Sequence, residues 1–436
     1  MYKTNRTIAL LYCLMATICT AIAQQSAGSS QGGHQYVRYT VLPEKNEYRI
    51  GEVATLRVLA TAGGRNVDGA EVRFEAGEAC LKADTTGVAV FHNGEAKIPF
   101  GTMAKAGFRF CKMHFNVSGQ DIKDEVTVGY APETLTTTAT EPADFDAFWA
   151  KTLKKAAKVP MTVELTDCPE YSNDSIICQR VKLQTYEKGF FFYGYLSRPR
   201  DNDKHPVMLY VPGAGVKRTE RGEQYAQHGF ITLGVNIHGI PTGISDSLLA
   251  AKKKEIGDYW LTGIESRDTY YYKRVYTSLI RCIDFLTQQP QWDGKNVGVT
   301  GGSQGGALTI VTAALDKRVT MLSAFYPALC DIGGYQRGTV GGWSNINKPG
   351  GKDIGCDANL WTKTVSYYDV SLFAKRITAP GFYSYGYNDR TCSPTSVCAT
   401  INGITAPKTV IITPSSSHGR FQETQHENLK WLKGHM

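Results

Sequence analysis

A chain of 436 residues has room for two or three domains and for a core that needs neither disulfides nor metals. Apolar residues at 42% and charged ones at 20% exclude disorder, and a net charge of +8 spread along the chain excludes a nucleic-acid footprint. Glycine is in excess, 44 residues without a collagen period, and this points to turns and close backbone approaches.

The first elements in chain order belong to a leader. Lys3 and Arg6 precede an apolar stretch from Ile8 to Ile18, and Ala21-Ile22-Ala23 supplies a small-x-small cleavage site. Residues 1–23 therefore read as an export signal, which places the mature chain in the periplasm or outside the cell with no membrane attachment. Residues 24–33 (QQSAGSSQGG) read as a flexible linker. Nine cysteines remain after cleavage. Cys168 with Cys178, Cys80 with Cys111 and Cys330 with Cys356 are possible pairs, the connectivity stays open, and Cys282 reads as a buried thiol.

From 34 to 131 short alternating runs such as 36–41, 54–59, 71–74 and 125–128 are separated by glycine turns. This is the pattern of a small all-β, immunoglobulin-like sandwich, read here as an accessory domain. Residues 132–436 form the second domain. Asp144 is placed to cap a helix that runs to about Ala157, and strands and helices then alternate. Strands are expected at 207–211, 231–236, 296–300, 321–326, 381–386 and 409–412. Helices are expected at 219–228, 274–288, 305–315 and the C-terminus. The fold class is thus α/β: a mostly parallel sheet flanked by helices, preceded by the β-sandwich.

Gly301-Gly302-Ser303-Gln304-Gly305 contains G-x-S-x-G between a β-branched strand and a small-residue helix. That is where a nucleophile elbow places its serine. A dinucleotide turn is the other reading of a glycine-rich strand-helix junction, but the G-x-G-x-x-G spacing is absent. A serine needs a base and a group to orient it. Asp389 follows the strand 381–386, and His418 follows the strand 409–412, so Ser303, Asp389 and His418 occur in the order of an α/β-hydrolase. Asp331 and Asp369 are competing acids that follow no strand so directly, and His426 falls on the C-terminal helix. The oxyanion donors are read as the backbone N–H groups of Gln304 and of Ala214 in Pro212-Gly213-Ala214-Gly215, with Gly213 the other choice.

Six segments carry a family resemblance: 142–149 (PADFDAFW), 270–286, 297–306 (VGVTGGSQGG), 366–380, 385–397 (YGYNDRTCSPTSV) and 414–419 (PSSSHG). In these, the chain resembles the acetyl xylan esterase and cephalosporin C deacetylase group, carbohydrate esterase family seven. The resemblance implies Ser303 as nucleophile, Asp389 as acid, His418 as base, and no metal or organic cofactor. Asn236-Ile237-His238-Gly239 stands where the family has an R-G-Q motif, and Pro212-Gly213-Ala214 where it has H-G-Y. His238, Trp260 and Trp343 are candidate sugar contacts, although core packing is the alternative use for the tryptophans, Tyr270 to Tyr272 and Trp361.

The expected function is that of an exported serine carboxylesterase that removes acetyl groups from carbohydrates such as xylan. The alternatives are a hydrolase of other acyl esters or peptides, or a sugar-binding protein with a vestigial hydrolase domain. An acetylated carbohydrate is the expected partner, nucleic acid is excluded, and assembly into a homo-oligomer stays open.

Overall fold

The computed structural model describes residues 36–351 and 353–436, so the expected leader and linker lie outside the described residues. The first hundred described residues form two β-sheets. In one, Thr55–Ala62 runs antiparallel between Val37–Pro43 and Glu95–Pro99. In the other, Gly107–Val117 lies between Glu71–Glu78 and Gln120–Tyr130, with short strands on both edges. Period-two alternation turns Leu56, Val58 and Ala60 to one side of their strand. There they meet Val72, Cys111, Phe115 and Val128 of the second sheet in one apolar core.

The remainder is built on a single nine-stranded sheet. Its strands are β1 (Val163–Asp167), β2 (Ile176–Gln184), β3 (Phe191–Pro199), β4 (His205–Tyr210), β5 (Ile231–Asn236), β6 (Trp292–Gly302), β7 (Met321–Phe325), β8 (Gly381–Gly386) and β9 (Lys408–Thr413). In space the order is β1-β2-β3-β5-β4-β6-β7-β8-β9. Pairing is parallel from β5 through β9 and antiparallel from β1 to β5 by way of β2 and β3. β5, β7 and β8 are buried along their whole length, as strands covered on both faces must be. The expected parallel sheet is present, and the antiparallel edge at 163–199 is an addition to it.

The main helices are α1 (Phe145–Ala156), α2 (Tyr271–Leu286), α3 (Gln304–Leu315), α4 (Pro394–Asn402) and α5 (Gln422–Lys433). α1 buries Phe145, Phe148 and Trp149 against Phe373, Tyr367 and Tyr368. Asp144 does not cap it by its side chain: the carboxylate is drawn instead to Arg267 at 2.7 Å and to the Tyr367 hydroxyl. The helix expected at 219–228 shrinks to Glu223–Ala226. Its first half is spent differently, with Glu220 accepting from the Tyr210 hydroxyl and from Lys217, before a turn at Gly222 with φ 66°.

All nine cysteines among the described residues are unpaired. Cys168 and Cys178 do pack together in a buried cluster, with the Cys168 amide donating to the Cys178 carbonyl at 3.0 Å, but as thiols. Cys80 with Cys111 and Cys330 with Cys356 are likewise not bridged, and the large core accounts for a fold that needs no such link. Cys282 is a fully buried thiol on α2. Among the described residues no helix is long and apolar enough to cross a membrane.

Candidate active site

Ser303 stands between β6 and α3 at φ 60° and ψ −124°, a conformation nearly closed to residues with a side chain. Close packing holds it there. A Cβ on Gly301 would lie 2.7 Å from the Val211 carbonyl oxygen, and one on Gly305 only 2.5 Å from the same atom. The turn is pinned from its other side as well, with the Ser303 amide donating to Phe325 O and the Ala328 amide donating to Ser303 O, both at 3.0 Å. The strain is thus offset by packing on two neighbouring strands, and it lifts the Ser303 hydroxyl above the C-terminal edge of the sheet.

The acid and the base leave the same edge. Asp389 follows β8 and is 1% exposed. Its Oδ1 accepts from the amides of Thr391 and Cys392, both at 2.8 Å, so a local turn sets the carboxylate direction. Ser393 and Pro394 then start α4, Ser393 capping it through the Thr395 amide. His418 follows β9 on a loop that can close on the acid only because residue 386 has no side chain. A Cβ on Gly386 would lie 2.1 Å from the Ser416 carbonyl oxygen.

The three side chains meet in a line. His418 Nδ1 is 2.8 Å from Asp389 Oδ2, and Nε2 is 2.9 Å from Ser303 Oγ. Every partner of the Asp389 carboxylate is a donor, which fixes the imidazole proton on Nδ1 and leaves Nε2 to accept from the serine. Tyr326, directly after β7, sets its ring edge-on to the imidazole with centroids 4.8 Å apart. Cys392 lies beside the pair, its sulfur within 4.8 Å of the Asp389 and His418 ligand atoms. Burial pushes that thiol well above its ordinary pKa, so it stays protonated beside the imidazole.

The expected oxyanion donors are Gln304, which directly follows Ser303, and Ala214, on the loop after β4. The Gln304 amide heads α3 and so belongs to the N–H groups a helix leaves without an internal acceptor. Its side chain, fully buried, has a second use. Oε1 accepts from the Tyr259 and Tyr272 hydroxyls at 2.6 and 2.8 Å, while Nε2 donates to the carbonyls of Pro212 and Gly213 at 3.4 and 3.3 Å. The loop that carries Ala214 is thereby fastened to the turn that carries Ser303. Tyr259 fastens it again by accepting from the Gly215 amide at 3.1 Å.

His238 belongs to this scaffold. Its Nδ1 is 2.6 Å from the Tyr271 hydroxyl and its Nε2 3.4 Å from Gly215 O. One neutral tautomer satisfies both contacts, with the tyrosine donating to Nδ1 and Nε2–H donating to the carbonyl. Burial, with Arg274 nearby, lowers the pKa from 6.5 to about 4 and keeps the ring neutral. As a sugar contact His238 is therefore badly placed, because both ring nitrogens are already engaged. Trp260 and Trp343 are half-buried with ring centroids 5.4 Å apart, and Trp343 O accepts from the Leu329 amide next to Ala328. Tyr270, Tyr271, Tyr272 and Trp361 are core residues.

The competing residues serve elsewhere. Asp369 caps the short helix Val370–Ala374 and accepts from the amides of Asp331 and Ile332 at 2.9 and 2.7 Å. Burial and the neighbouring Asp331 carboxylate raise its pKa. Asp331 in turn holds the Thr138 amide at 2.7 Å and Arg337, and His426 is exposed. Sequence reasoning missed Tyr259, Tyr326 and the structural use of the Gln304 side chain. None of these gave a signal in the sequence: Tyr326 falls inside the strand expected at 321–326, which the structure ends at Phe325.

A family model described as acetyl xylan esterase (AXE1) matches residues 133–435. The acetyl esterase Axe7A of Xylanibacter ruminicola is 40% identical over 399 residues, spanning 88% of this chain and 87% of its own. Two solved structures share the fold. An acetyl xylan esterase from Paenibacillus sp. R4 superposes with a TM-score of 0.60 at 24% identity, over 70% of this chain and 98% of that one. Acetyl xylan esterase 1 from Thermoanaerobacterium sp. JW/SL YS485 gives 0.58 at 22% identity, over 69% and 96%. Together with a mixed sheet covered by helices and a serine at its C-terminal edge, these matches place the chain in the acetyl xylan esterase family of α/β-hydrolases, as a carboxylic ester hydrolase.

Proposed function

We propose that the chain is an exported serine esterase that removes acetyl groups from acetylated carbohydrates such as xylan or xylo-oligosaccharides, through an acyl-enzyme on Ser303. The observation that carries this reading is the continuous line from Asp389 Oδ2 through His418 to Ser303 Oγ, at 2.8 and 2.9 Å. Ser303 Oγ attacks the acetyl carbonyl while His418 Nε2 takes its proton, and Asp389 supports the imidazolium that forms. The oxyanion is held by the N–H groups of Gln304 and Ala214, each contributing about 2.7–4 kcal/mol to the transition state. His418 protonates the departing sugar oxygen, and a water activated by the same nitrogen releases acetate. The chain's own residues supply every step. The half-buried Trp343, two backbone hydrogen bonds from Ser303 through Ala328 and Leu329, and Trp260, whose ring packs on it, are the surfaces we assign to the sugar.

The remaining parts fit that reading. Residues 1–23 act as an export signal, 24–33 as a linker, 34–131 as an immunoglobulin-like accessory domain and 132–436 as the catalytic domain. The test compares wild type with Ser303→Ala on acetyl, butyryl and feruloyl esters and on acetylated xylan. Acetate release that disappears in the variant is the expected result. Release that survives Ser303→Ala would overturn the mechanism, and activity confined to longer acyl groups would overturn the substrate.

A further inference from the structure

The family model begins at residue 133, so it leaves the whole N-terminal β unit without a part in the chemistry. That unit nevertheless reaches the acid. Four consecutive residues at the end of β8 each bond to it. The Tyr387 hydroxyl donates to Glu47 Oε1 at 2.7 Å. Asn388 Nδ2 donates to the Glu125 carbonyl at 3.2 Å. The Cys80 thiol approaches the Asp389 carbonyl at 3.7 Å. Arg390 Nε donates to Glu125 Oε1 at 2.7 Å, and its Nη2 shares the same oxygen.

Apolar contacts back these bonds. The Phe108 ring meets Tyr387 edge-on at 4.7 Å, and the Arg390 guanidinium lies 4.4 Å from the centre of the Phe110 ring. Phe108 and Ala79 belong to the core of the esterase domain and not to that of their own unit. The helix that follows the acid is tied to the start of its own domain, where the chain leaves the N-terminal unit: Asn402 Nδ2 on α4 donates to the carbonyls of Pro132 and Leu135 at 2.9 and 3.0 Å.

From these contacts we propose that the N-terminal unit is a working part of the esterase site. It holds the 387–390 loop from outside, and Glu47, Cys80 and Glu125 are positioning residues for Asp389. The proposal rests on the reading of Ser303, Asp389 and His418 given above. The turn at Asp389 Oδ1 sets which way the carboxylate points, but the distance from that turn to His418 is set by what the loop leans on. Glu125 is the chief support, because it grips the loop with both its backbone and its side chain. Residues that touch no substrate matter here because a misplacement of about 1 Å can cost on the order of a hundredfold in rate.

The experiment uses the full chain and two readouts: acetyl-ester kinetics, and the rate at which diisopropyl fluorophosphate inactivates the enzyme, which needs no knowledge of the natural substrate. Glu125→Gln and Arg390→Met should each lower kcat and the inactivation rate about tenfold while KM stays within twofold. Their double variant should be no worse than either single one. Tyr387→Phe, which removes one hydroxyl, should give a smaller loss in the same sense and serves if the charge variants fold poorly. Variants within twofold of wild type in both rates, with only a lowered Tm, would overturn the proposal. Inactivation that persists in Ser303→Ala would instead overturn the underlying reading of the site.

Discussion

The two loops that bring the serine and its acid to the sheet edge are held in different ways. The Ser303 turn is fixed from within its own domain: Gly301 and Gly305 lie against the Val211 carbonyl, and the backbone bonds go to Phe325 and Ala328, at and just after the end of β7. The Asp389 loop has only its own small turn, and for the rest it leans on Glu47, Cys80 and Glu125, at least 263 positions earlier in the chain. A glycine-rich turn therefore carries its instructions in five adjacent letters, whereas an acid loop can borrow them from a separate unit.

The largest expected effect concerns the acid itself. Asp389→Asn should lower kcat by about 10⁴-fold, because the amide favours the wrong imidazole tautomer, and steady-state assay of the purified variant checks it. A loss below tenfold would show that the loop does not carry the orienting group. Next comes the turn. Gly305→Ala puts a methyl 2.5 Å from a backbone oxygen that cannot move alone, and should cost about 3 kcal/mol of stability in urea unfolding. If the variant matches wild type, the internal fixing of the elbow is refuted.

Gln304→Leu keeps the amide donor and removes the tether to Pro212 and Gly213. A fall in kcat of about a hundredfold with little change in KM is expected, of the size that follows loss of one oxyanion donor. The smallest effect is on pH. His238 is neutral in the folded protein down to about pH 4, whereas unfolded it takes a proton near 6.5. The unfolded state thus binds more protons in that window. The stability from burying the neutral ring is complete above 6.5 and is lost as pH falls towards 4. With the ring only part-buried, this amounts to about 2 kcal/mol, and it should vanish from the pH dependence of urea unfolding in His238→Phe.

Much of this architecture could be read from the letters. Strands β5 to β9, helix α3 and the order Ser303, Asp389, His418 follow from periodicity and from which residues end each strand. The antiparallel edge at 163–199 was not readable, because its strands are mixed in character: Val163–Asp167 is exposed at every position, while Ile176–Gln184 and Phe191–Pro199 mix buried and intermediate positions without a clean period. Nor was the role of His238. A histidine whose two nitrogens are taken by Tyr271 and Gly215 looks, in one dimension, like a histidine free to meet a ligand. Glu125 was unreadable for a different reason, since its partner Arg390 is 265 positions away.

The unpaired cysteines carry a consequence of their own. Eight of the nine are buried, and burial raises the pKa of thiols such as Cys80, Cys111, Cys282 and Cys330. Only a thiolate attacks a disulfide, so these groups are chemically silent towards oxidants and exchange partners alike. The fold is then indifferent to the redox poise of whatever compartment receives it. It would assemble without an oxidase and, among the described residues, offer only the half-exposed Cys356 to a thiol reagent.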